Sequence, residues 1–218
     1  RISGAALRLF ARQGFKATGI REIASEAGVT IATMYHYVDT KEQLLLRIMN
    51  QGIGVLLRSA HQIVSEVQTS EEKLVALVRM HVVTHGIWRL TMLVGDTELR
   101  ALTETHREVL VSKRDRYERY WRDVLEEGLS GSVFDIDDPK LAAFALLEMC
   151  TGVAHWYSSD GTLSIEDIAI KFADMALTLV NAKRNGEPIS VADLNLANLP
   201  VFPNDSLVSE EVQTWAKS

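Results

Sequence analysis

Apolar positions recur along most of the chain at helical spacing, and no stretch sustains the alternation of a strand. Ala6, Leu9 and Phe10 share one face of a helix over residues 3–13, with Arg8 and Arg12 on another and Gly14 ending it. Thr18 is placed to cap a second, short helix whose Ile20, Ile23, Ala24 and Ala27 form its apolar side, and Gly28 breaks it. Thr30 caps a third helix over 31–37. Asp39-Thr40-Lys41-Glu42-Gln43 holds two overlapping capping boxes, Asp39 with Glu42 and Thr40 with Gln43, ahead of a long fourth helix to about residue 67. Thr69 and Glu72 open a fifth, to about Leu90, which is apolar on nearly every side from Leu74 to Trp88 and so implies burial all round. Residues 91–104 read as a short helix bent near Gly95. A charged helix follows over 105–128, ending at Gly128, and Asp138-Pro139 begins another that runs to about Tyr157. Ser164 caps a last helix to about Lys183. Residues 185–218 change character to an irregular tail that packs onto the body, with a short helix at 207–216.

Composition narrows the class. With 47% hydrophobic and 24% charged residues the chain is globular rather than disordered. No window of 18 uninterrupted apolar residues offers a membrane span, and the start lacks the build of a signal peptide. Its first residue, Arg1 rather than Met, implies residues upstream. The lone Cys150 excludes an internal disulfide and a cysteine-based zinc site, so a cytoplasmic location is expected. Of the 4 prolines only Pro139 precedes the tail, which agrees with a nearly all-helical body. The predicted fold is all-α with about nine helices: a three-helix head (1–47), a helical body (48–184) and the tail (185–218). Seven Lys/Arg against four Asp/Glu make the head basic, whereas the remainder holds 16 against 25. Such a split suits a protein that presents one end to phosphates.

Two short helices joined through Ala27-Gly28-Val29, with a third covering their apolar faces, form a helix-turn-helix. Met34 and Val38 supply the buried side of its second helix. Thr33 and Tyr37 then point outward, flanked by Ile31, Ala32 and His36, while Tyr35 is open to either side. Hydroxyls and an imidazole suit phosphates and base edges, and small apolar groups suit thymine methyls. Lys41 and the start of the second helix at Thr18 are placed to reach the phosphate backbone.

The stretch from Ala6 to Thr18, then Ile23-Ala24, Ala27-Gly28-Val29 and Thr33 to Leu44, resembles the DNA-binding domain of TetR-family transcriptional regulators. The resemblance implies an all-helical homodimer that represses until a small ligand binds. By position it assigns phosphate contacts to Thr18, Thr33, Tyr35, Tyr37 and Lys41, and base-facing places to Ile31, Ala32 and His36. Thr30 completes the DNA-binding set. Val38 stands where that family most often has Phe, and Ala32 where Gly is frequent.

In the body, helices 139–157 and 164–183 carry apolar residues on more than one face and so require a second partner. A symmetry mate forming a four-helix bundle is the simplest. A dimer of heads predicts a near-palindromic operator in double-stranded DNA. Met80, His81, His85, Trp88, Met92, Trp121, Leu125, Met149, Trp156 and Tyr157 are the candidates for a ligand pocket. His81 and His85 sit i,i+4, but without a third ligand they read as a buried pair rather than a metal site. Cys150 and His155 lie on different helical faces, so no nucleophilic dyad is expected. No catalytic constellation and no cofactor are indicated. Lys113, Arg114, Arg116, Arg119 and Arg122 form either a solvated face, paired as Arg114–Glu118, Asp115–Arg119 and Glu118–Arg122, or a grip on an anionic ligand. The stretches Leu141–Ala143 and Trp156–Ser164 resemble regulators of fatty-acid and steroid breakdown, which implies an acyl-CoA effector; an apolar small molecule is the other candidate. Two rival functions remain at this point: a DNA-binding regulator controlled by a protein partner through the tail, and an all-helical enzyme.

Overall fold

A computed structural model of the 218-residue chain describes residues 1–196 and 199–200. Among them the head comprises α1 (Ile2–Gln13), α2 (Ile20–Ala27) and α3 (Ile31–Tyr37). The body continues through α4 (Lys41–Glu66), α5 (Ser70–Ile87), α6 (Arg89–Thr97), α7 (Glu104–Ser130), α8 (Pro139–Thr151), α9 (Val153–Trp156) and α10 (Ile165–Leu179). Gly152 keeps helical angles (φ −52°, ψ −23°), so α9 prolongs α8 past one disrupted turn. Counted as one, they leave the nine helices expected. No described helix is long and apolar enough to cross a membrane.

α5 is the centre of the body. Its residues from Leu74 to Val78 and from Met80 to Gly86 are buried on every side, as its uniformly apolar sequence requires, with α10 packed along one flank and α4, α7 and α8 on the others. α4 crosses from head to body without interruption. The boundary expected at residue 47 therefore falls inside a helix.

Several local expectations are corrected. Gly19, not Thr18, is the N-cap of α2, and the Glu22 carboxylate accepts from its amide. α5 stops at Trp88, where α6 begins, and α6 runs uninterrupted through Gly95. α7 does not end at Gly128, which sits inside the helix so that the Phe134 ring can lie against its backbone. The start of the tail, expected to be irregular, holds a two-residue ladder in which Lys183–Arg184 pairs antiparallel with Glu187–Pro188. Beyond it Ile189, Val191 and Leu194 are buried, Arg184 meets Glu71 at 2.6 Å, and the Val191 amide donates to Asp174. The helix expected at 207–216 lies outside the described residues.

A Cβ at Gly128 would stand 2.0 Å from Phe134 Cδ2, whereas one at Gly95 meets nothing within 4 Å. Gly128→Ala is expected to lower unfolding free energy by about 1–3 kcal/mol through overpacking. Gly95→Ala should leave it unchanged or raise it by up to about 1 kcal/mol through helix propensity. Urea denaturation of the two variants checks the contrast.

Candidate functional site

α2 ends where Gly28 takes the left-handed conformation (φ 64°, ψ 40°), which turns the chain at once toward α3. The Thr30 side chain then accepts from the Thr33 amide at 3.1 Å and caps α3. Met34 and Val38 are buried under α1 and α2, which rotates the rest of the helix outward. Thr30, Ile31, Ala32, Thr33, Tyr35, His36 and Tyr37 are all exposed and together form one surface, with Tyr35 at 53% settling the side it takes. Two contacts pin the far end of α3: the Arg47 guanidinium lies 4.6 Å over the Tyr37 ring, and the Tyr37 hydroxyl meets Ser3 Oγ at 3.3 Å.

Thr18 and Lys41 stand apart from that surface. Thr18 is 1% exposed and its hydroxyl donates to the Gly14 carbonyl at 2.8 Å. Lys41 Nζ donates to the carbonyls of Phe15 (2.7 Å) and Thr18 (2.6 Å) and lies 4.2 Å over the Phe15 ring. Burial lowers its pKa, against the opposing pull of Glu98. Both side chains hold the α1–α2 link in shape.

The head is tied to the body by two carboxylates. Glu42 Oε1, on the first turn of α4, accepts from the Thr103 amide, the Thr103 hydroxyl and His106 Nδ1, each at 2.8 Å. These bonds, the backbone one foremost, lower the Glu42 pKa. Glu98, just beyond α6, accepts the Phe15 amide at 3.2 Å. Glu42 therefore does not close a capping box with Asp39, whose amide donates instead to Gln43 Oε1.

α4, α5, α6, α7 and α8 surround a cavity of about 770 Å³. Three expected residues line it: His81, His85 and Met92. Met80, Trp88, Trp121 and Leu125 are buried in the core outside it, Met149 and Tyr157 are half-buried elsewhere, and Trp156 faces outward. Aliphatic wall comes from Met49, Ile53, Leu56, Leu110 and Leu147. The charged α7 enters it through Arg114, Arg119 and Arg122, joined by Lys140 and interleaved with Asp96, Asp115, Glu118 and Glu148. The expected pairings within α7 give way to others. Arg114 reaches the Gly95 carbonyl (2.6 Å) and Asp96 (3.5 Å), and Arg122 pairs with Glu126 at 3.7 Å. Asp96 is raised to about 6 by desolvation, against the attraction of Arg114. Sequence reasoning missed Thr91 and Thr151 and left the α7 charges open between a solvated face and an anion grip, since i,i+4 pairs of opposite sign suit both.

His81 and His85 stack at 3.9 Å between ring centroids. Both nitrogens of His81 are engaged, Nδ1 with the Tyr117 hydroxyl at 2.8 Å and Nε2 with Thr151 Oγ1 at 3.0 Å. His85 Nδ1 donates to the His81 carbonyl at 2.8 Å. Burial drives His81 well below its ordinary range, with the neighbouring His85 adding to the shift, and holds His85 at about 4, so both rings are neutral at pH 7. Cys150 is buried, and desolvation pushes its thiol far up, which keeps it protonated and unreactive.

Comparison with known proteins assigns these parts. Residues 2–48 match the model of bacterial regulatory proteins of the tetR family, and residues 67–180 that of the tetracyclin repressor-like C-terminal domain. The chain belongs to the TetR family. It is a DNA-binding transcriptional regulator and not an enzyme. The HTH-type transcriptional repressor KstR2 of Rhodococcus jostii is 27% identical over 174 residues, 79% of this chain and 85% of that one. A tetR-family regulatory protein from Rhodococcus RHA1 superposes with a TM-score of 0.77 at 27% identity, covering 84% of this chain and 96% of the other. AibR, solved in complex with isovaleryl coenzyme A and operator DNA, superposes with a TM-score of 0.73 at 27% identity, covering 80% and 95%.

In this TetR-family chain, α8 to α10 leave an apolar face outward. Leu141 (65% exposed), Phe144, Trp156, Met175 and Leu179 face solvent, while Ala143, Leu146, Ala173 and Leu177 on the opposite faces are buried. The described part of the tail packs against α5 and α10, away from these five residues.

The histidine pair makes stability depend on pH. A base whose pKa falls from about 6.5 unfolded to about 4 folded binds protons preferentially in the unfolded chain between those values. Stability is therefore lost as pH falls through that window. Between pH 7 and pH 5 the wild type should lose about 2 kcal/mol more than His85→Phe, which denaturation of both at the two pH values measures.

Proposed function

We propose that this regulator represses as a homodimer on a near-palindromic operator and is released by an acyl-CoA thioester held in the α4–α8 cavity. The observation that carries the reading is that α6 belongs to both sites. Thr91, Met92, Gly95 and Asp96 line the cavity, and Glu98, one residue past the helix, holds the Phe15 amide of the head. A ligand that shifts α6 therefore acts on the link that orients α2 and α3. Gly52 of α4 packs against Thr91 and Met92, so α4 must follow such a shift. Release needs only that the ligand bind the DNA-incompatible spacing of the heads better than the compatible one.

The choice of effector rests on the cavity's two-sided chemistry. Aliphatic wall suits an acyl chain, and Arg114, Arg119, Arg122 and Lys140 suit the phosphates of a coenzyme A. AibR, crystallised with such a thioester, supports the same class. On this reading residues 1–47 are the DNA-binding unit and 48–184 the ligand-binding and dimerisation unit, acting in the cytoplasm. Thr30, Ile31, Ala32, Thr33, Tyr35, His36 and Tyr37 face the groove. The exposed residues of α8 to α10 meet their symmetry mates in a four-helix bundle, where each fully buried Leu or Phe contributes about 1.5–3 kcal/mol.

Selection from random duplexes should yield a near-palindrome whose half-sites lie one helical turn or more apart, and octanoyl-CoA should release it. His36→Ala should weaken operator binding about tenfold with little change in Tm, since the imidazole is exposed and base contacts contribute about 1–3 kcal/mol. Failure to retain any duplex at low salt would contradict DNA recognition by α3. Retention without release by any acyl-CoA would transfer the effector role to a different small molecule.

A further inference from the structure

Two buried polar residues on either side of the α5–α6 joint, His85 and Thr91, line the cavity with hydrogen-bonding capacity to spare. Thr91 is 2% exposed, lines the cavity, and its hydroxyl makes no hydrogen bond. His85 lines the same cavity from the last turn of α5. Its Nδ1–H is committed to the His81 carbonyl, which fixes the neutral tautomer and leaves Nε2 as a bare acceptor. Glu118, on α7, also lines the cavity, and its Oε1 is a buried acceptor without a donor. His81, by contrast, is satisfied at both nitrogens by Tyr117 and Thr151. Within the cavity wall Thr91 Oγ1, His85 Nε2 and Glu118 Oε1 can each accept a hydrogen bond, whereas the other histidine of the pair is fully bonded.

We infer that the effector carries a hydroxyl group on the part of its chain buried in this cavity, donated to His85 Nε2 and flanked by the Thr91 hydroxyl. A plain alkyl chain would leave both groups unpaired and dry, and a carbonyl would set its lone pairs against that of Nε2. The Thr91 hydroxyl can rotate to donate to the same ligand oxygen. A site built to bond a hydroxyl strongly rejects the analogue lacking it, so His85 and Thr91 are specificity-determining residues. This deepens the acyl-CoA reading and rests on it for the rest of the molecule only; the hydroxyl requirement concerns the buried chain, whatever head group it bears.

The test uses octanoyl-CoA and a series of monohydroxylated octanoyl-CoAs with the hydroxyl moved along the chain, and in parallel octanoic acid and the matching hydroxy acids. Affinity is read by calorimetry and function by operator release. At least one hydroxyl position should bind about tenfold tighter than the unsubstituted chain. His85→Phe and Thr91→Val should each reduce that preference while still binding octanoyl-CoA, with Tm confirming that both variants fold. A preference seen among the free acids but no binding of any thioester would remove the coenzyme A reading and leave this one standing. Equal or weaker binding of every hydroxylated probe in both series, or a preference unchanged in both variants, would overturn it.

Discussion

The structure turns on how a small head is fixed to a larger body. A loop amide at Phe15 and the backbone and hydroxyl donors of Thr103 need acceptors, and two carboxylates from the other unit supply them, Glu98 and Glu42. Because hydrogen bonds are directional and these run between the two units, they favour one orientation of the head. Lys41 completes the arrangement from the first turn of α4 by gathering the Phe15 and Thr18 carbonyls. The direction in which α3 points is thereby set by groups that also touch the floor of the body.

The cavity lies behind that joint. Its wall combines aliphatic side chains with a neutral stacked histidine pair and charges that belong to α6, α7 and α8. Neutrality of the rings follows from burial, and it makes His85 an acceptor rather than a cation. Gly52 brings α4, the helix that enters the head, against Thr91 and Met92 of the cavity wall.

The head was the most legible part of the sequence because its signals are local. Gly28 demands a left-handed turn, Thr30 a cap, and Met34 with Val38 a single buried side; each acts within a few residues. Legibility failed where a distant partner decides the outcome. Glu42 is a good capping residue on paper, yet its carboxylate is taken by Thr103 and His106, some sixty residues away. Thr18 matches a cap, but burial turns its hydroxyl back to Gly14, and Gly19 takes its place. Gly128 looks like a helix stop until Phe134 folds over it. The break at Trp88 was invisible because α5 is apolar all round and offers no face whose phase could slip. The two-sided apolar pattern of α8 and α10 was readable from composition alone, and the outward face it implied is present in the fold.

Coupling between cavity and head is the central claim, and hydrogen exchange at the amides of Phe15 and Thr103 tests it most directly. The rates would be compared in the free protein, in the operator complex and with an acyl-CoA that releases the operator. Both amides should stay protected on DNA and exchange markedly faster once the thioester is bound. Identical protection in all three states, with the operator still released, would contradict transmission through these two carboxylates.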